Sequence, residues 1–132
     1  PFRPRFITFD CYGTLIDFRM ADAARDLVGQ RLDGPAMARF IRDFAAYRFD
    51  EILGDWKPYD QVIHNALARA CRRGGLDFRP EDARAIYARI PGWGPHPDVP
   101  AALARVAKEF PLVILSNAAD EQIMANVERL GA

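Results

Sequence analysis

The chain has 132 residues, half of them hydrophobic, and its 18 lysines and arginines balance 18 aspartates and glutamates. This neutral balance argues against a broad nucleic-acid-binding or anionic-membrane surface, because either would need a basic excess. Cys11 and Cys71 lack the spacing of a metal-binding pair, and no apolar run approaches the roughly 20 residues of a membrane span. We therefore predict a soluble, cytoplasmic protein with no nucleic-acid or membrane partner.

The first element along the chain is a predicted strand that ends in a carboxylate. Residues 6–9 read Phe-Ile-Thr-Phe, the β-branched and aromatic composition of a buried strand, and Asp10 follows directly. Gly13 then supplies a turn. Open α/β sheets bind ligands at the carboxyl ends of their strands, which makes Asp10 a candidate functional residue. The alternative is that Asp10 only caps the loop after the strand.

The middle of the chain is predicted to be helical. Apolar residues recur there at helical spacing in four stretches, of which residues 35–53 form the clearest. Pro35 suits the first turn of that helix, and Gly74 and Gly75 end the next one. These helices separate the first strand from the rest of a sheet. They therefore predict an inserted helical subdomain over the tip of that strand.

A connector leads from these helices to a second strand. Residues 91–100 contain four prolines and two glycines, too many for regular structure. Asp98 is predicted to cap the next helix. Residues 112–115 then form a second buried strand, which ends at Ser116 and Asn117. A final helix is predicted to place Ile123, Met124 and Val127 on one face.

The order of these elements predicts the fold class α/β, a Rossmann-like parallel sheet with an inserted helical cap. We assign residues 1–17 and 91–132 to the sheet-bearing core and residues 18–90 to the cap. A parallel sheet brings both strand tips to one edge, so that Asp10 faces Ser116 there. A carboxylate facing a hydroxyl, an amide and backbone N–H groups can act as a nucleophile beside an anion cradle.

Two motifs resemble those of the haloacid dehalogenase superfamily of hydrolases. FDCYGTLID at residues 9–17 resembles its first motif, an apolar strand followed by Asp-x-x-Gly-Thr, and LVILSN at residues 112–117 resembles its second. The inserted helices resemble its cap domain. The resemblance implies that Asp10 attacks the substrate and forms an ester or acyl-phosphate intermediate, which water hydrolyses. It implies also that Thr14 steadies the nucleophile loop and that Ser116 is the hydroxyl of the second motif.

The type of residue at the position of Tyr12 distinguishes two branches of this superfamily. The family's phosphatases usually carry a second aspartate at this position, which protonates the leaving alkoxide. A tyrosine, with a pKa of about 10, is a poor acid at neutral pH. A halide leaves without a proton, and Asp-x-Tyr-Gly-Thr is typical of the L-2-haloacid dehalogenase branch. The resemblance therefore implies hydrolytic dehalogenation of a small 2-haloacid without a cofactor. A magnesium-dependent phosphatase is the alternative, and Tyr12 could equally serve only in packing.

The resemblance also implies a set of substrate contacts. Asn117 would help to cradle the departing halide, while Ser116 and the backbone amides near Cys11 and Tyr12 would hold the substrate carboxylate. The side chain of Cys11 itself should point into the core. An arginine of the cap would be the second halide partner, and Arg42 is our candidate. Arg39 and Arg48 are rivals, and all three could equally be solvated helix charges. A small carboxylate is the expected partner, and a homodimer is left open.

Two further motifs of the superfamily are missing from these 132 residues. One supplies a lysine, but the chain's lysines are Lys57 and Lys108, neither at a matching position. The other supplies acidic or polar residues that bind magnesium or position water. Two parallel strands alone would leave sheet edges open. We therefore expect a fragment of a longer enzyme, or a truncated relative completed by another chain. A non-catalytic interaction module is a third hypothesis.

Overall fold

The computed structural model describes residues 2–131, in which helices dominate and two short strands pair. The elements in chain order are β1 (Ile7–Phe9), α1 (Met20–Val28), α2 (Gly34–Leu53), α3 (Tyr59–Gly74), α4 (Pro80–Arg89), α5 (Val99–Val106), β2 (Leu112–Ile114) and α6 (Asp120–Glu128). The two strands run parallel, and helices fill the chain between them. The predicted α/β order is therefore confirmed. No helix within the described range is long and apolar enough to cross a membrane.

The chain divides into two compact units. One unit contains Pro1–Phe18 and Pro91–Ala132, and the other contains Arg19–Ile90. The first unit carries the sheet together with α5 and α6, whereas the second consists of helices α1 to α4 and their connections. The role of the second unit as a cap stays a prediction.

The sheet of the first unit is more exposed than its apolar sequence suggests. In both strands the middle residue is exposed and its two neighbours are half-buried. Val113, at the centre of β2, has 43% of its surface exposed. The expectation of two buried strands was wrong, because successive side chains of a strand face opposite sides and the described residues cover only one of these sides. An apolar cavity of about 220 Å³ lies on the covered side. It is lined by the strand residues Phe9, Leu112 and Ile114 and by Leu15, Leu103, Val127 and Leu130.

Helix α6 buries a different face from the expected one. Met124 is 61% exposed, whereas the side chains of Gln122 and Asn126 are almost completely buried. These two polar residues are four apart and therefore lie on the same side of the helix. Asn126 is stable in this position because both ends of its amide find hydrogen-bond partners inside the first unit.

The second unit is held together by helix α2, which packs against α3. Helix α3 also packs against α4, and α1 contacts both α2 and α4. Helix α2 begins as predicted, with Pro35 in its first turn and the Asp33 carboxylate accepting a hydrogen bond of 2.8 Å from the Ala36 amide. Helix α3 ends at Gly74, and the next residue, Gly75, caps it with a φ of +69°, which favours glycine. The buried side chains of these two helices include Phe40 and Phe44 on α2 and Ile63 and Leu67 on α3.

A charged network on the second unit predicts a pH-dependent stability. The carboxylate of Glu51 accepts hydrogen bonds from Asn65 at 2.9 Å and Arg69 at 2.8 Å, and Lys57 lies 3.4 Å away. These partners, Asn65 foremost, hold the pKa of Glu51 below its usual 4.5. A carboxyl group with a lowered folded-state pKa stabilises the fold above its unfolded pKa. That contribution is lost as the pH falls below about 4.5 and through the folded-state pKa.

We expect Glu51→Gln to lower the free energy of unfolding by about 1 kcal/mol at pH 7. At pH 3 the difference from the wild type should shrink, because pH 3 lies below the unfolded-state pKa and the stabilisation by the Glu51 charge declines as the pH falls toward and through its lowered pKa. Urea denaturation at the two pH values measures the effect, with the exposed Glu81→Gln as control. An equal cost of Glu51→Gln at pH 7 and pH 3 would contradict the prediction.

Candidate active site

Asp10 lies immediately after β1, and its exposed carboxylate is held by the loop that follows. Thr14 Oγ1 donates a hydrogen bond of 2.7 Å to Asp10 Oδ2. Gly13 turns the chain with a φ of +88°, a conformation that favours glycine. Three backbone N–H groups converge on the carbonyl oxygen of Cys11, those of Thr14, Leu15 and Ile16. This nucleophile loop, residues 10–16, is therefore tightly hydrogen-bonded.

The tips of the two strands lie side by side at the same edge of the sheet. The parallel register pairs Phe9 with Ile114, and the Leu115 amide donates a hydrogen bond of 2.9 Å to the Phe9 carbonyl. Asp10 therefore leaves the sheet beside the segment that contains Ser116 and Asn117. Ser116 Oγ accepts a hydrogen bond of 3.2 Å from the Ala118 amide, while Asn117 is exposed. The sequence-based expectation that the two tips converge agrees with this register.

Cys11 lies next to Asp10 in sequence, but its side chain points into the core, as strand alternation predicted. Burial raises the pKa of the Cys11 thiol, and the negative charge of Asp10 raises it further. The thiol is therefore protonated at neutral pH and is a poor nucleophile. Only the backbone of Cys11 is left as a candidate for substrate contact.

Tyr12 is anchored at both its ring and its hydroxyl group. Its hydroxyl donates a hydrogen bond of 2.5 Å to Asn126 Oδ1. Its ring meets Phe18 edge-on at 6.1 Å, and Phe18 meets Trp93 in the same way at 5.3 Å. Asn126 Nδ2 in turn donates to the carbonyl oxygen of Trp93 at 3.0 Å. Tyr12 therefore has the packing role that was one alternative in the sequence analysis. Two residues from Asp10, it also makes a polar contact through its hydrogen bond to Asn126.

Asn126 is the residue near this site that the sequence analysis missed. The apolar residues of α6 predict its packed face and give no reason to select an asparagine. The available signal was the spacing of Gln122 and Asn126, two amides one helical turn apart among apolar residues.

The three candidate arginines all belong to helix α2 of the second unit. Arg39 and Arg42 are exposed. Arg48 is half-buried, and its guanidinium group lies over the ring of Phe44 at 5.0 Å. This cation–π contact gives Arg48 a packing role. Arg42 stays the predicted halide partner, and Arg39 is the alternative.

The described residues 2–131 offer no cluster of three or more histidine, cysteine, aspartate or glutamate side chains that could hold a metal ion. Magnesium is usually bound by one or two carboxylates together with waters and substrate phosphate oxygens. Among the residues of this site, only Asp10 supplies carboxylate oxygens, and one of them is hydrogen-bonded to Thr14. The side chains of the described site therefore do not by themselves form a magnesium site.

Comparison with known proteins points to one class of enzyme. No family model matches the chain. The (S)-2-haloacid dehalogenase H-109 of Pseudomonas putida is 30% identical over an alignment of 122 residues that covers 89% of this chain and 53% of that enzyme. The structure of the L-2-haloacid dehalogenase of Xanthobacter autotrophicus is similar with a TM-score of 0.72 and 24% identity, over 98% of this chain and 53% of that one. A defluorinating L-2-haloacid dehalogenase gives a TM-score of 0.73 at 23% identity, over 95% of this chain and 56% of that one.

The chain thus spans about half the length of the relatives it matches. The structural matches extend over both compact units and confirm the predicted fold, a Rossmann-like α/β core with an inserted helical region. The sequence match to an enzyme of the same class agrees with them. Sequence and fold together therefore show that the chain resembles L-2-haloacid dehalogenases of the haloacid dehalogenase superfamily over about half of their length.

Proposed function

We propose that the protein is a hydrolase in which Asp10 displaces the halide of a small 2-haloacid. The observation that carries this proposal is the placement of Asp10, an exposed carboxylate at the tip of β1 that Thr14 holds through a 2.7 Å hydrogen bond. The similarity of the chain to haloacid dehalogenases supports it.

The proposed reaction proceeds in two displacements. One carboxylate oxygen of Asp10 attacks C2 of the substrate, and the halide leaves with the electron pair of the carbon–halogen bond. Water then attacks the carbonyl carbon of the resulting ester. This second step releases a 2-hydroxy acid and a proton and restores the carboxylate of Asp10. Substrate, Asp10 and water supply every atom of the reaction, so that no cofactor is needed.

Thr14 prepares the carboxylate of Asp10 for this attack. Its hydroxyl donates to Oδ2 and so limits rotation of the carboxylate. We propose the other oxygen, Oδ1, as the attacking atom. A nucleophile held in one orientation reacts faster, because the ordering cost is met before the substrate binds.

The remaining contacts of the substrate are proposals that follow the superfamily motifs. Ser116 and the backbone amides of Cys11 and Tyr12 hold the substrate carboxylate. Asn117 and Arg42 receive the departing halide. The first four of these residues belong to the two strand tips that the parallel register brings together.

The hydroxyl of Tyr12 favours a halide over a phosphate ester as the substrate. A leaving alkoxide needs a proton from a nearby acid. The position that holds this acid in the family's phosphatases is occupied by Tyr12, whose hydroxyl donates a hydrogen bond to the side-chain oxygen of Asn126. Because a halide leaves as a stable anion, the reaction at carbon does not need the missing acid.

The two cysteines of the chain are both free and buried. We propose the cytoplasm as the location of the enzyme, since free thiols persist in a reducing compartment. A homodimer stays a prediction.

The test is a pair of assays on the protein purified at its native length. We expect chloride release from L-2-chloropropionate and no phosphate release from p-nitrophenyl phosphate, with or without added magnesium. Magnesium-dependent phosphate release would instead support the phosphatase alternative. Absence of both activities would favour a non-catalytic module and would overturn the proposal.

A further inference from the structure

We propose that Asn126 is a positioning residue for the nucleophile loop. The side-chain oxygen of Asn126 accepts a hydrogen bond from the hydroxyl of Tyr12 and so holds Tyr12 in place. The inference rests on the proposed function, because it concerns the rate at which Asp10 reacts.

The direction of the hydrogen bonds follows from the chemistry of the partners. The carbonyl oxygen of Trp93 can only accept, so the Asn126 amide must turn its nitrogen toward Trp93 and its oxygen toward Tyr12. The hydroxyl of Tyr12 must then donate. The backbone carbonyl of Trp93 therefore sets the orientation of the Asn126 amide, and the amide directs the hydroxyl proton of Tyr12 toward Oδ1.

The burial of Asn126 makes this arrangement rigid. Its side chain is completely buried, and Trp93 is buried beside it. Rotation of the amide by a half-turn would place nitrogen against the hydroxyl and oxygen against the carbonyl oxygen of Trp93. The nitrogen would still donate to the hydroxyl oxygen of Tyr12, but the two carbonyl oxygens of Asn126 and Trp93 would face each other with no proton between them. Two buried acceptors without a donor are costly.

The contacts of Asn126 join the segments that carry the site. Helix α6 begins three residues after Asn117, and through Asn126 it contacts both the nucleophile loop and the start of the proline-rich connector. The same loop and connector meet again where the His96 amide donates a hydrogen bond of 3.1 Å to the Leu15 carbonyl. Asn126 thus connects the first strand tip, at Tyr12, with the helix that follows the second tip.

Loss of Asn126 should therefore slow the attack of Asp10. In Asn126→Leu the side chain keeps a similar size but neither accepts from Tyr12 nor donates to Trp93. We expect the single-turnover rate of ester formation on Asp10 to fall about tenfold, with KM changed by less than about threefold. Quenched samples of the native-length protein with L-2-chloropropionate, analysed by intact mass, give this rate directly.

Two further variants separate positioning from mere stability. Tyr12→Phe removes the same hydrogen bond by deleting one oxygen, and should slow ester formation to a similar extent. In the double variant the losses should not multiply, because both substitutions remove one interaction. Leu130→Ala, a buried apolar residue just after α6, should lower the melting temperature without slowing ester formation at a temperature where the protein is folded.

Each result of these experiments either supports the inference or overturns it. If Asn126→Leu lowers the melting temperature but forms the ester at the wild-type rate, Asn126 is structural only and the inference is overturned. Multiplying losses in the double variant would also overturn it. If Asn126→Leu does not fold, the rate of Tyr12→Phe decides, and an unchanged rate contradicts the inference. If the wild type itself forms no ester, the proposed function fails, and the inference fails with it.

Discussion

Replacing Asp10 by asparagine is expected to abolish halide release, with a loss in kcat of about 10⁴-fold or more. The amide oxygen carries no charge and is a far weaker nucleophile than a carboxylate, so the ester cannot form at a useful rate. Because Asp10 is exposed, the substitution should leave the circular dichroism spectrum and the melting temperature nearly unchanged. Chloride release from L-2-chloropropionate measures the effect. A variant that keeps a tenth of the wild-type rate would refute the role of Asp10.

Isotope labelling tests the same role without a substitution. In H₂¹⁸O, water that attacks the ester carbonyl leaves one ¹⁸O atom in the carboxylate of Asp10 after a single turnover. Direct attack of water on the substrate would instead place the label in the 2-hydroxy acid. Mass spectrometry of the peptide that contains Asp10 distinguishes the two routes.

Asp98→Asn is the matched control for the Asp10→Asn substitution. Asp98 is an exposed carboxylate of the same unit, and its replacement should leave chloride release at the wild-type rate.

Replacing Phe44 by alanine is expected to lower the free energy of unfolding by about 3–5 kcal/mol. Phe44 is buried in the α2–α3 contact, where its ring stacks near Phe40 at 6.5 Å and lies under the guanidinium group of Arg48. Its removal deletes a large apolar side chain and leaves a cavity among neighbours that cannot collapse fully. Urea denaturation followed by circular dichroism at 222 nm, a wavelength at which helices dominate the signal, gives the free energy.

Phe49 offers a matched control on the same helix. Its side chain is 69% exposed, so that Phe49→Ala should change the free energy of unfolding by no more than about 0.5 kcal/mol. Both variants delete the same atoms from a phenylalanine of α2, and only the burial of the ring differs. Equal effects of the two substitutions would show that α2 does not pack as described.

Much of the site follows from local sequence. An apolar run that ends in Asp10 and turns at Gly13 specifies a strand tip, because strand, carboxylate and glycine turn are all local features. Ser116 follows shortly after the second strand, and a parallel pairing brings the two tips to one edge. The buried position of Cys11 follows from strand alternation, and the first turn of α2 follows from Pro35. Each of these predictions depends on neighbours in the chain or on one topological rule.

The apolar pattern failed where burial depends on distant segments. Val113 and Met124 are exposed although each lies in an apolar stretch, because no described element covers that side of the sheet or of α6. A run of apolar residues indicates that a segment can be buried. It does not say which of its faces meets another element.

The partnership of Tyr12 with Asn126 needed the folded chain. The two residues are 114 positions apart, and neither stands out as a member of a pair in the sequence. An amide in a helix is usually solvated, and the cost of burying it is removed only by partners that tertiary structure supplies, here a phenol hydroxyl and the carbonyl of Trp93. Local sequence was therefore sufficient to place the carboxylate that we propose as the nucleophile. The hydrogen bonds that orient its loop arise between segments far apart in the chain, and the fold alone brings them together.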